Sequence, residues 1–225
     1  MGRVKFLKIV TLGDSLTQGS PPPCLHPDTY QYHMLAAMRE RGVGVGPDVH
    51  VDVVNHGVGG QVAAQVVDRI PGALDPDVDA VVLMAGTNDA WRYTAYDEEM
   101  AADVRDDVVQ TLVAGVKKCL ELREVSAHRL EVVVLCAVPP VGAVPSIPKY
   151  MGSTIEAINE RLATACTRLG VTFCDVHEAM RGEGGRARPD LVVGDGVHFT
   201  RKGYEACGRR IGACVASALT LGGRW

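Results

Sequence analysis

A chain of 225 residues with 47% hydrophobic and 22% charged residues can bury one large core and is too apolar for a disordered protein. Its 23 basic and 27 acidic residues leave a formal charge of −4, and no Lys/Arg stripe interleaved with aromatics marks a nucleic-acid surface. Nothing in the composition divides the chain, so residues 1–225 are read as a single domain without a transmembrane segment.

The first predicted strand covers 5–12, an apolar run through Ile9, Val10 and Leu12. Met1-Gly2-Arg3-Val4-Lys5 imitates the basic start of an export signal. However, Lys8 interrupts the run, which flows onward with no small-residue cleavage site, so a strand and a cytoplasmic location are expected. Gly2 fails the myristoylation pattern because position 6 is Phe. The strand opens directly into Gly13-Asp14-Ser15-Leu16-Thr17, placing Ser15 at a carboxyl end, where open α/β sheets bind ligands. A proline-rich stretch follows, from Ser20 to Pro27. Gly42-Val43-Gly44-Val45-Gly46-Pro47 resembles a dinucleotide loop but ends in proline and precedes a strand, so it reads as a turn.

The second strand, 49–54, leads into Asn55-His56-Gly57-Val58-Gly59-Gly60, and the third, 78–84, into Gly86-Thr87-Asn88-Asp89. Thr94 with Asp97 resembles a capping box. It precedes a helical stripe of Val104, Val108, Leu112, Val116 and Cys119. A fourth strand, 130–138, ends in Pro139-Pro140, with further prolines to Pro148. Ile155, Ile158, Leu162, Cys166 and Leu169 form a second stripe before the last strand, 171–174. Asp195-Gly196-Val197-His198 then precedes a closing helix with Tyr204, Cys207, Ile211, Cys214 and Ala218 on one face. This alternation predicts βαβ units and a parallel sheet. The proline-rich stretches serve either as rigid connections or as pocket walls.

A serine hydroxyl needs a base, a group to orient that base, and donors for the oxyanion formed on attack. Ser15 is the candidate nucleophile, and His198 the base that later becomes the acid. Asp195, three residues earlier, can share a turn with His198 and hold its tautomer. The backbone N–H groups of Ser15 and Gly60 and the Asn88 amide are the candidate oxyanion donors. Asp14, Trp91 and Tyr93 are candidate substrate contacts. Each segment alone reads equally well as turn or cap chemistry; their common placement at strand ends favours a site. His26 and His56 read as loop residues bordering it. Seven cysteines, odd in number and without a CxxC pair, point to small hydrophobes, not a disulfide framework. Cys174 and His177 have a ligand-like spacing, but no second pair completes a zinc site, so no metal and no cofactor are expected.

These four blocks, in this order, resemble a GDSL-type esterase/lipase of the SGNH hydrolase superfamily. Ser15 matches the nucleophile block, Gly60 the oxyanion glycine, Asn88 the oxyanion asparagine, and Asp195 with His198 the terminal DxxH block. The resemblance implies a flavodoxin-like three-layer α/β/α sandwich with a five-stranded parallel sheet in the order 2-1-3-4-5. It also implies a metal-independent serine hydrolase acting on a small-molecule ester. The superfamily spans thioesterases, lysophospholipases, arylesterases and carbohydrate deacetylases, so it implies the reaction more closely than the substrate. Carbohydrate O-deacetylation, and a non-catalytic glycan- or acyl-binding module on the same fold, stand as alternatives. Nothing in the sequence sets the oligomeric state.

Overall fold

Five parallel strands, β1 (Lys5–Gly13), β2 (Val49–Gly57), β3 (Ala80–Met84), β4 (Val132–Cys136) and β5 (Thr172–Cys174), form one sheet in the order β2-β1-β3-β4-β5. The computed structural model describes residues 4–19, 28–93, 97–125 and 127–222. Strands β3 and β4, Ala-Val-Val-Leu-Met and Val-Val-Val-Leu-Cys, are buried at every position. That is the pattern of central parallel strands covered on both faces.

One face is covered by α3 (Ala63–Asp68), α4 (Ile70–Ala73), α5 (Thr87–Tyr93), α6 (Glu98–Glu124) and α7 (Met151–Leu169). Their buried residues include Val66, Ile70, Leu112, Val116, Ile155 and Ile158. The other face is covered by α2 (Tyr30–Glu40), α8 (Val176–Met180) and α9 (Arg201–Leu221). Helix α2, whose pattern the sequence analysis does not pick out, packs along α9 through Tyr30, Met34 and Met38. The expected three-layer sandwich and strand order are present.

The strands start and stop close to the expected residues, except that β2 runs three residues longer. Asn55, His56 and Gly57 extend the ladder, opposite Thr11, Leu12 and Gly13. His56 is therefore a strand residue, not a loop residue. Asp97 is the N-cap of α6, accepting from the Met100 N–H at 2.7 Å. Thr94 lies outside the described residues, as do the 20–27 stretch, Cys24 and His26. Among the described residues no helix is long and apolar enough to cross a membrane.

Candidate active site

Strand β1 ends at Gly13, and the chain turns at once into a four-residue helix, α1 (Ser15–Gln18). Asp14 is its N-cap, with Oδ1 accepting from the Leu16 N–H at 2.9 Å. Two glycines seat this turn: a Cβ on Gly13 would overlap Thr17 and meet the Met84 carbonyl, and one on Gly57 would overlap the Gln18 amide. The ends of β1 and β2 therefore touch the backbone that carries Ser15. The Thr17 carbonyl accepts from Gln31 of α2 at 2.9 Å and from Asn55 of β2 at 3.0 Å, which ties the turn down from one more element and a second time from β2.

The acid–base pair sits 183 residues later on a turn closed by Val193 N–H donating to the His198 carbonyl at 2.8 Å. Gly196 lies in the left-handed region, at φ 75°. A side chain there would also strike Val144. The Gly142 N–H donates to the Gly196 carbonyl at 2.7 Å, so the segment after β4 braces the turn. That segment is itself fixed by Asn159, whose amide bonds both the N–H and the carbonyl of Val138.

Ser15 Oγ stands 3.0 Å from His198 Nε2, and His198 Nδ1 stands 2.7 Å from Asp195 Oδ2. Asp195 Oδ1 accepts from the N–H groups of Val197 at 2.8 Å and His198 at 2.9 Å, so both carboxylate oxygens are occupied. Burial pushes the Asp195 carboxyl up. The His198 hydrogen bond, the two backbone N–H groups and attraction to the imidazole outweigh this and hold it below its ordinary value. An ionised Asp195 accepts a hydrogen bond from the His198 Nδ1–H, which leaves the Nε2 lone pair facing Ser15.

The loop from Val58 to Gln61 lies beside the nucleophile. A Cβ on Gly59 would sit 3.8 Å from the Ser15 Cβ. Each part of the loop is held from outside. Val58 N–H donates to the Gly13 carbonyl, Gly59 N–H to Gln18 Oε1, and Arg92 to the Gly60 carbonyl, at 3.0, 2.9 and 2.7 Å. The Asn88 amide donates to the Gln61 carbonyl at 2.9 Å. This uses one of its two hydrogens and leaves the second for a ligand. Of the glycine N–H groups in this loop and at the strand end before it, that of Gly57 is taken by Asn55 and that of Gly59 by Gln18. The Gly60 N–H has no partner among the described residues. Ser15 occupies the first helical position, where the N–H lacks an intrahelical acceptor.

Asp14, one of the expected substrate contacts, is only 1% exposed. It lies under Ser15 as the cap of α1 and does not face a ligand space. Trp91 is half-buried and packs against the core, and the Tyr93 side chain lies outside the described residues. Cys174 and His177 are both buried, and among the described residues no group of three His, Cys, Asp or Glu side chains could hold a metal ion.

Two residues to which the sequence assigns no role, Arg69 and Asp89, organise the site. Arg69 donates to the Gly13 carbonyl at 3.1 Å, the His56 carbonyl at 2.7 Å and Gln61 Oε1 at 2.8 Å. One guanidinium thus joins the ends of β1 and β2 to the Gly60 loop, and burial lowers its pKa. Asp89 accepts from the Ala63 N–H at 2.9 Å, fixing the start of α3 just beyond the same loop, and burial pushes its carboxyl up. The available signal was an arginine set between the apolar residues Val66, Val67 and Ile70.

Residues 11–206 match the model of the GDSL-like lipase/acylhydrolase family. No curated protein matches the chain significantly. Among solved structures, an aryl esterase from M. smegmatis is 19% identical with a TM-score of 0.68, covering 96% of this chain and 99% of its own. A catalytic mutant of an acetylxylan esterase from Geobacillus stearothermophilus is 19% identical with a TM-score of 0.68, covering 93% of each chain. A GDSL-like lipase from Bacteroides thetaiotaomicron is 18% identical with a TM-score of 0.64, covering 96% of this chain and 88% of its own. At these identities the likeness is one of fold.

Proposed function

Since the chain belongs to the GDSL-like lipase/acylhydrolase family and is thereby a hydrolase of ester bonds, we propose that it cleaves carboxylic O-acyl esters through an acyl intermediate on Ser15. The observation that carries this is the continuous relay from Ser15 Oγ through both ring nitrogens of His198 to Asp195. His198 Nε2 takes the Ser15 proton as Oγ attacks the carbonyl carbon, then returns it to the departing alcohol. A water activated by the same nitrogen releases the acid and restores Ser15.

Asp195 stays ionised and stabilises the imidazolium formed in both steps, in keeping with its depressed pKa. The oxyanion is received by the Ser15 and Gly60 N–H groups and the Asn88 amide, whose positions are fixed before substrate arrives by the contacts of Arg92, Arg69 and Gln61. Such preorganisation is what makes an oxyanion donor effective, because nothing has to reorient as charge develops. Every role is filled by a side chain or a backbone group of this chain, so the reaction is proposed to proceed without a metal.

Removal of acetyl groups from a carbohydrate is the narrower form of the same chemistry, and an acetylxylan esterase shares the fold. The packing of Trp91 into the core weakens its case as a sugar-stacking surface. A non-catalytic binding module would have no need of the Ser15–His198–Asp195 geometry. The test is hydrolysis of p-nitrophenyl acetate by wild type, with and without EDTA, and by Ser15→Ala. Activity is expected to resist EDTA and to vanish in the variant; equal rates for the two proteins would refute the assignment.

A further inference from the structure

Beside the turn that carries Asp195 and His198 lies a cavity of about 700 Å³, within the range of small-molecule sites. Val192, Val193 and Gly194, which immediately precede Asp195, form part of its wall; Gly142 and Val144 come from the segment after β4. Most of the remaining lining is also apolar, including Ala187 and Pro189, but two arginines, Arg186 and Arg188, and one acid, Glu183, belong to it as well.

Neither arginine is held in an ion pair among the described residues, although Glu183 lines the cavity and Glu156 lies against Gly185. Their neighbour Arg181 is paired with Glu178 at 2.6 Å. Arg186 is packed against Gly152 in the first turn of α7, a turn with no capping side chain and no acidic residue. A guanidinium beside the positive end of a helix dipole is repelled by it unless an anion joins them. The cavity therefore combines a largely apolar wall with two arginines against one acid, Glu183, in a protein whose formal charge is −4.

We propose that this cavity binds a small carboxylate with an apolar tail, the head on Arg186 and Arg188 and the tail on Val144, Val192 and Val193. The choice of carboxylate over other anions rests on the proposed ester hydrolysis, which releases one. The ligand packs on the two residues before Gly194-Asp195 and on Val144, which itself abuts Gly196. Occupancy therefore acts on the turn that aims His198, and it lowers turnover without filling the space over Ser15.

Calorimetric titration of hexanoate into the Ser15→Ala protein measures the binding free of turnover. Saturable binding is expected, roughly a hundredfold weaker in the added Arg186→Gln/Arg188→Gln background, since two charge-assisted contacts are lost and each carries about tenfold. Binding should also weaken as salt is raised, and 1-hexanol, which has the tail without the charge, should not bind. Undiminished affinity in the arginine variant, or hexanol binding as tightly as hexanoate, overturns the proposal. If the arginine variant fails to fold, as judged by circular dichroism, the salt series and the hexanol comparison on the Ser15→Ala protein decide alone. In wild-type kinetics, hexanoate should lower kcat; pure competition with substrate would place it at Ser15 and overturn the separate site. The two readings fail separately, because an inactive wild type that still binds hexanoate through the arginines refutes the hydrolase and leaves the cavity's ligand standing.

Discussion

Replacing Asp14 by Asn tests whether a buried carboxyl under the nucleophile is held as the neutral acid. Asp14 is 1% exposed; Oδ1 accepts the Leu16 N–H at 2.9 Å, and Oδ2 is buried with no partner among the described residues. Burial raises its pKa from 3.8 to about 7, against the Leu16 hydrogen bond and the His198 charge and with help from Asp89. The folded protein therefore keeps a proton that the unfolded chain gives up above pH 3.8, so the penalty is absent at low pH and grows as pH rises to about 7.

At pH 5 the mismatch is roughly one unit, and by pH 8 it has reached its full value of roughly three, each unit being about 1.4 kcal/mol. Wild type should thus lose about 2–3 kcal/mol relative to Asp14→Asn between these pH values. The Asn oxygen can still accept from Leu16, and its amide adds a cost that does not change with pH, so the slope of the difference isolates the charge. Urea unfolding of both proteins from pH 5 to 8 measures it. Parallel stability curves, agreeing within about 0.5 kcal/mol in slope over this range, would show that Asp14 ionises as readily as it does in water.

Asn88→Ala removes one oxyanion donor and should reduce kcat by roughly 10²–10³ with little effect on KM; an unchanged kcat would move the oxyanion site elsewhere. Arg69→Met leaves the Gly13 and His56 carbonyls and Gln61 without their shared donor. It should cost about 2–4 kcal/mol in chemical denaturation and also lower kcat, because the Gly60 loop loses its anchor. An unchanged unfolding midpoint would contradict the strut. Gly57→Ala places a methyl group on the Gln18 backbone. It should depress stability by about 1–3 kcal/mol and activity together, as expected for overpacking; full activity would mean that α1 can move without losing Ser15.

The parts of the fold legible in the sequence are those set by near neighbours along the chain. Runs such as Val132-Val133-Val134-Leu135-Cys136 announce buried strands because central parallel strands need apolar residues on both faces. The α6 stripe was readable because its buried residues recur every three or four positions. Helix α2 escaped because its moderately polar sequence, Tyr-Gln-Tyr-His-Met-Leu, is buried chiefly against α9, far along the chain. The Asp195–His198 contact was legible for the same local reason, since the two side chains share one turn.

The glycine loop shows where such reading stops. Gly57, Gly59 and Gly60 are equivalent as letters, yet Gly57 is required by the Gln18 backbone, the Gly59 N–H is taken by the Gln18 side chain, and only the Gly60 N–H stays open among the described residues. Their different duties depend on α1, whose Gln18 lies 41 residues before Gly59. Asp14 likewise looked like a residue facing substrate, until packing placed it underneath the nucleophile.

By itself the sequence determined the five strands along the chain and the stripes of α6, α7 and α9, the strand ends at which the reactive residues stand, and the pairing of Asp195 with His198, because periodicity and short spacing are local properties. Tertiary structure decided the 3.0 Å approach of His198 to Ser15 across 183 residues, the burial of Asp14, and the three-way hold of Arg69. Those depend on which atoms meet when β1, β2 and the Asp195 turn are brought to one edge of the sheet, and close packing resolves such meetings to within a methyl group.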